Sequence, residues 1–138
     1  MTPDQISLVQ ESFAKVTPLA EKAADIFYKR LFEQAPAVRH LFPDDMAEQK
    51  RKLMTMLGVA VNGLTRLEDI LPSVQQLGRR HVAYGAKPEH YPVVGATLLF
   101  TLEMGLGDDW SDELNEAWSA AYAALAGAMI DAAAEVEQ

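Results

Sequence analysis

The sequence predicts an all-α protein, and three observations carry that prediction. Apolar residues recur at spacings of three and four along almost the whole chain, which is the helical period. Alanine, the best helix former, is the commonest residue, and Val, Ile and Thr never fall in long alternating runs. Proline and glycine sit between the periodic segments, where they start and stop helices.

The elements follow in order. Thr2, Pro3 and Gln5 form a capping box with proline at the first helical position, and Ile6, Val9, Phe13 and Val16 mark the apolar stripe behind it. Pro18 opens a second helix, with Ala20, Ala24, Phe27, Leu31 and Phe32 inward as far as Ala35. Pro36 starts a short segment over Ala37 to Leu41, which Phe42 and Pro43 stop. Asp44 and Asp45 place negative charge at the positive end of the next helix, expected from Met46 to Leu64 with Leu53, Met56, Leu57, Ala60 and Leu64 inward. Another helix runs from Leu67 or Pro72 to Tyr84 and stops at Gly85. Pro88 begins the next, with Val93, Val94, Leu98, Leu99, Leu102 and Leu106 inward, and Gly107 closes it. Ser111 caps the last, which carries Leu114, Trp118, Tyr122, Leu125, Met129 and Val136. Six or seven helices with short connections result.

Composition narrows the function classes. A chain of 138 residues has room for one domain, and it can bury about 68% of its unfolded surface without outside help. The absence of cysteine excludes disulfides, thiolate metal sites and cysteine nucleophiles. Twelve Lys and Arg against 20 Asp and Glu give a net charge of −8, which repels phosphate backbones and anionic lipid. Neither nucleic acid nor a membrane is therefore an expected partner. No apolar run approaches the roughly 18 residues of a membrane span, and MTPDQISLVQESF lacks the pattern of a signal peptide. A cytoplasmic location is the expectation.

Periodicity alone leaves a bundle, a binding module and a cofactor protein open. The polar residue that bears on the choice is His81, on the face defined by Leu71, Val74 and Leu77 near the end of its helix. A lone histidine on such a face is more often a core or boundary residue than a ligand. His40 and His90 have no Glu or His partner at helical spacing, which argues against zinc or di-iron carboxylate sites. A single histidine ligand suits haem, where the porphyrin supplies the other four.

The stretch Phe27-Tyr28-Lys29-Arg30-Leu31-Phe32, followed by Pro36 and Phe42, resembles the second and third helices of globins. It is most similar to the haem domain of bacterial flavohaemoglobins and their single-domain relatives. LEDILPSVQQLGRRH at 67–81 resembles their proximal helix, KPEHYPVVGATLL at 87–99 the next, and AWSAAYAALAGAMI at 117–130 the last. The resemblance implies a single globin domain over residues 1–138, with six to eight helices around a haem pocket. It implies haem b as cofactor and His81 as the proximal iron ligand. Phe42 would pack flat against the porphyrin, and Leu77 and Val94 would touch it. Arg80, and Lys52 with it, could pair with haem propionates. Tyr28, Gln49 and Leu53, the last one turn beyond Gln49, would line the distal ligand pocket. Tyr91 and Glu135, with Glu137 as a neighbour, would hydrogen-bond the far nitrogen of His81, raising its basicity.

Tyr28 and Gln49 can both donate hydrogen bonds to a diatomic ligand that carries partial negative charge. Two such donors in a dry pocket predict tight dioxygen binding and slow release. Two functions of different class follow from the resemblance. One is a nitric oxide dioxygenase that draws electrons from a separate reductase. The other is a non-catalytic protein that binds, stores or scavenges dioxygen or another diatomic gas.

Overall fold

The computed structural model describes residues 1–137, with side chains through Glu135, so Val136 and Glu137 of the expectations above lie outside the described side chains. Among the described residues there are six α-helices and no strand. They are α1 (Pro3–Val16), α2 (Ala20–Gln34), α3 (Ala47–Asn62), α4 (Leu67–Ala83), α5 (His90–Leu106) and α6 (Asp112–Glu137). Short 3-10 turns at Thr17–Leu19, Pro36–Leu41, Gly63–Arg66 and Gly107–Asp109 lie between them. No helix among the described residues is long and apolar enough to cross a membrane.

The local signals work as their chemistry requires. Thr2 Oγ1 accepts the Gln5 backbone N–H at 3.1 Å, and Gln5 Oε1 accepts the Thr2 N–H at 3.0 Å, so the capping box is complete. Ser111 Oγ accepts the Leu114 N–H at 3.2 Å at the start of α6. Asp45 Oδ1 accepts the Ala47 N–H at 3.0 Å, which moves the start of α3 one residue past the expected Met46.

Several boundaries are corrected. Pro18 opens a 3-10 turn and α2 begins at Ala20. The helix expected to reach Leu64 ends at Asn62, and Gly63–Arg66 tightens into a 3-10 turn beneath α4. An added Cβ at Gly63 would lie 2.6 Å from an Ile70 methyl carbon, so the close contact requires glycine there. Helix α4 starts at Leu67, the earlier of the two expected starts, so Pro72 lies inside it. It leaves the Glu68 carbonyl without the N–H that an ordinary residue would supply, and it stands on the exposed side, where water can replace it. Pro88 and Glu89 form a turn, and α5 starts at His90, whose Nδ1 accepts the Lys87 N–H at 3.1 Å. Met56, expected inward, is 41% exposed, whereas Val61 is the buried residue of α3.

The core is centred where α1, α2, α5 and α6 meet, on Val9, Val16, Phe27, Leu31, Leu102 and Trp118. Trp118 Nε1 donates to Ser12 Oγ at 2.9 Å, and this satisfies the one polar atom of a buried indole. Helix α4 lies along α6 so closely that a Cβ on Gly78 would fall 2.6 Å from Met129 Cα. Helix α3 packs on α1 and α2 instead. Helices α3 and α4 thus share no extended interface. Their apolar residues, Leu53 and Leu57 on one and Leu77 on the other, are only half-buried.

Candidate functional site

His81 sits in the last turn of α4, and its position is fixed from two directions. The ring Nδ1 lies 2.7 Å from the carbonyl oxygen of Leu77. A carbonyl only accepts, so Nδ1 carries the proton and Nε2 presents its lone pair. Nε2 has no partner among the described residues. The backbone of His81 is held by the end of the helix. Ala86 N–H donates to the His81 carbonyl at 2.9 Å and Gly85 N–H to that of Val82 at 3.0 Å. These two bonds make a Schellman motif, and Gly85 takes the left-handed conformation it needs, at φ +94°.

A second polar group stands on α2 and α3. Gln49 Nε2 donates to the Tyr28 hydroxyl oxygen at 3.1 Å. Tyr28 is buried, with Phe27 edge-on at 5.0 Å and Phe42 edge-on at 5.6 Å. Burial pushes its phenol above the ordinary tyrosine range, and the hydrogen bond from Gln49 acts in the opposite sense. The phenol is therefore neutral at pH 7, and its proton has no acceptor among the described residues. Leu53 follows one turn after Gln49, half-buried against the core. Gln49 and Tyr28, expected as two donors to a ligand, are hydrogen-bonded to each other, and the Gln49 amide keeps a second N–H. One amide N–H is spent on the phenol oxygen, which polarises the phenol as a donor.

Tyr91 presents a third polar atom, a buried hydroxyl with no hydrogen-bond partner among the described residues. Its backbone carbonyl accepts from the Tyr122 hydroxyl at 2.6 Å. Tyr122 in turn lies so close to Gly95 that a Cβ there would come within 2.6 Å of the ring. The sequence marks Tyr122 only as an apolar position of the last helix. Its role in holding the Tyr91 backbone had no signal, because the two residues are on different helices. Val94 is half-buried against the core, and Phe42 is edge-on to both Tyr28 and Phe32.

The hydrogen bonds expected from Tyr91 and Glu135 to the far nitrogen of His81 are not among those the described residues make. Glu135 is on an exposed turn of α6, 71% accessible, with its carboxylate 3.6 Å from Arg79. The far nitrogen of His81 is already taken by Leu77. The physical reason is the helix itself, which offers a carbonyl one turn back from every residue, whereas Glu135 faces water. Arg80 is exposed and forms no ion pair among the described residues, and Lys52 lies 3.5 Å from Glu48. His40 is exposed.

A buried phenol proton, a buried hydroxyl and an imidazole nitrogen, all without partners among the described residues, fit a bound group that supplies a metal and an acceptor. Half-buried leucines on helices that do not close on each other fit a flat apolar body. These residues define an all-helical protein that presents one imidazole nitrogen and a phenol–amide pair. The chain belongs to the globin family, whose sequence profile matches residues 25–129. Globins bind haem.

The flavohemoprotein of Oceanobacillus iheyensis is 36% identical over 113 residues, covering 80% of this chain and 28% of that protein. The flavohemoprotein of Bacillus subtilis is 32% identical over 130 residues, covering 91% of this chain and 32% of that protein. The chain thus spans about a third of the length of these relatives. A bacterial globin from Campylobacter jejuni superposes with a TM-score of 0.87 at 27% identity, covering 99% of both chains. An engineered carbene transferase from Rhodothermus marinus has the same fold, with a TM-score of 0.89 at 24% identity and coverage of 99% and 96%.

Proposed function

We propose that this chain holds haem b through His81 and binds dioxygen tightly beside Tyr28, in the service of nitric oxide detoxification. The observation that carries this reading is the Tyr28 hydroxyl. It is buried, it accepts from Gln49, and its own proton is left free to donate. Haem supplies an iron that binds dioxygen and exchanges single electrons, and the overall reaction joins nitric oxide, dioxygen and one electron to give nitrate.

The residues have separable tasks. His81 presents Nε2 to the iron because Leu77 holds the proton on Nδ1. Tyr28 donates a hydrogen bond to the ligand without giving up its proton, since burial keeps the phenol neutral. Gln49 orients that phenol and makes it a better donor. Leu53 excludes water from the same space, and Arg80 is available to a propionate. The electron comes from a separate one-electron donor, such as a flavin reductase.

The test is a nitric oxide pulse on the oxygenated protein, followed by nitrate assay and repeated with a flavin reductase and nicotinamide. Stoichiometric nitrate in one turnover, continuing when the reductase is present, is the expected result. A persistent oxygen complex that reacts slowly with nitric oxide, and yields no nitrate, would replace this reading with gas binding or storage.

A further inference from the structure

Tyr84 caps the C-terminal end of α4, and its ring stands edge-on to the His81 ring with centres 5.7 Å apart. Its backbone N–H donates to the carbonyls of Arg80 and His81, each at 3.1 Å, so the last turn of the helix holds it in place. The same side chain is 61% exposed, and no other Phe, Trp or Tyr among the described residues is exposed. Tyr84 thus joins the imidazole to the surface through one ring.

A phenol gives up an electron readily only if its proton leaves at the same time, and the four tyrosines differ in this. The Tyr28 proton has no acceptor among the described residues, and the Tyr91 hydroxyl is buried without a partner among them. Tyr122 donates to the Tyr91 carbonyl at 2.6 Å, a group that accepts a hydrogen bond but does not take the proton. Tyr84 alone can release its proton to water. The surroundings also differ in charge. From Ile70 to Leu102 the chain carries Arg79, Arg80 and Lys87 against Glu89 alone, whereas the whole chain has a net charge of −8. Arg79 faces Glu135, but Arg80 and Lys87 are exposed and form no ion pair among the described residues. An anion is therefore repelled less here than over the rest of the surface.

We propose that Tyr84 is a surface oxidation site, at which the haem-loaded protein acts as a peroxidase on anionic aromatic reductants too large to reach Tyr28. The site rests on that part of the proposed function which places haem at His81, and not on any reaction with nitric oxide. Haem supplies the iron at which hydrogen peroxide is reduced in single-electron steps. Tyr84 passes one electron inward across its contact with His81 and one proton to water. The phenoxyl radical then recovers one electron from the reductant and one proton from the solution. Over two such rounds hydrogen peroxide takes two electrons and two protons and leaves as two molecules of water, and two reductant molecules are each oxidised by one electron. Without a reductant, the radicals of two chains couple through a new bond between their Tyr84 rings.

The test adds an equimolar amount of hydrogen peroxide to the ferric haem-loaded protein. A tyrosyl signal in electron paramagnetic resonance is expected, with a covalent dimer whose digest contains Tyr84 joined to Tyr84. Tyr84→Phe keeps the ring against His81 and removes only the hydroxyl, so both products should vanish while the haem spectrum is unchanged. Trp110→Phe, which alters a half-buried aromatic between α5 and α6, should leave both in place. With the disulfonated dye ABTS as reductant, oxidation should fall several-fold in Tyr84→Phe, and Lys87→Glu should raise the half-saturating dye concentration several-fold. A radical or cross-link that survives in Tyr84→Phe, or dye oxidation there at the parent rate, overturns the oxidation site. An unaltered half-saturating concentration in Lys87→Glu overturns the anionic class of reductant. Haem loading is read from the absorption spectrum before peroxide is added. A chain that holds no haem overturns the proposed function together with this site, whereas a loaded chain that leaves Tyr84 unmodified overturns this site alone.

Discussion

The Nδ1 atom of His81 is bonded to the carbonyl oxygen of Leu77 one turn earlier, while the carbonyl of His81 itself takes the N–H of Ala86. The imidazole is thus oriented by its own helix and by the turn that ends it, and no side chain from another helix is needed. This places unusual weight on Gly85. A non-glycine residue at its φ of +94° costs about 1–2 kcal/mol, and the added Cβ would also stand 2.8 Å from Leu41 Cδ2. Gly85→Ala should lower the melting temperature and speed haem transfer to an acceptor protein. Gly107→Ala has a positive φ but nothing within 4 Å of the new Cβ. It should lower stability while leaving haem transfer near the parent rate. Equal transfer rates in the two variants would show that the turn after α4 does not position His81.

The proposed function makes the phenol of Tyr28 the direct donor to the ligand and Gln49 its support, which ranks their variants. Tyr28→Phe removes the donor and should speed dioxygen release roughly tenfold, the equivalent of about 1.4 kcal/mol for one hydrogen bond. Gln49→Leu leaves the phenol in place and removes only its polarising partner, so its effect should be smaller. Stopped-flow release from the oxygenated protein measures both. The opposite ranking would mean that Gln49 reaches the ligand itself.

Features legible in the sequence were those whose causes are local. The capping box at Thr2 and Gln5, the Ser111 cap and the stop at Gly85 each depend on residues within one turn, and the structure contains all three. The pairing of Tyr28 with Gln49 spans two helices, and only the family resemblance brought them together. The side of α3 that faces inward depends on where α1 and α2 lie, and periodicity alone therefore does not show that Met56 faces out and Val61 in. Glu135 shows the limit of the resemblance. A carboxylate at the right place along α6 does not fix which way it points, and here Arg79 and water claim it.

Glu135 therefore carries a prediction of little change. Exposed ion pairs contribute about 0–1 kcal/mol, and this one is long as well as accessible. Glu135→Gln should shift the urea midpoint only slightly and leave the iron–histidine stretching frequency of the ferrous protein where it is. A clear fall in that frequency would show that the carboxylate reaches His81 once haem is bound.

Alkaline pH provides the last test, because three tyrosines are shifted the same way. Burial raises the phenol pKa of Tyr28, Tyr91 and Tyr122, and for Tyr122 the nearby Tyr91 adds to the rise. An unfolded tyrosine loses its proton near pH 10. Above that value the unfolded chain holds fewer protons than the native one, so stability is fully present below about pH 10 and falls as the pH rises further. Each tyrosine that stays protonated in the native state contributes up to about 1.4 kcal/mol of loss per pH unit. The urea midpoint should be flat between about pH 7 and 9 and drop steeply above 10. Tyr91→Phe should lessen that slope. In the haem-free protein it should also leave stability at pH 7 unchanged or raised, since the hydroxyl it deletes is buried without a partner. A loss of stability at pH 7 would mean that the Tyr91 hydroxyl has a partner in solution, and an unaltered alkaline slope would mean that this tyrosine titrates as if exposed.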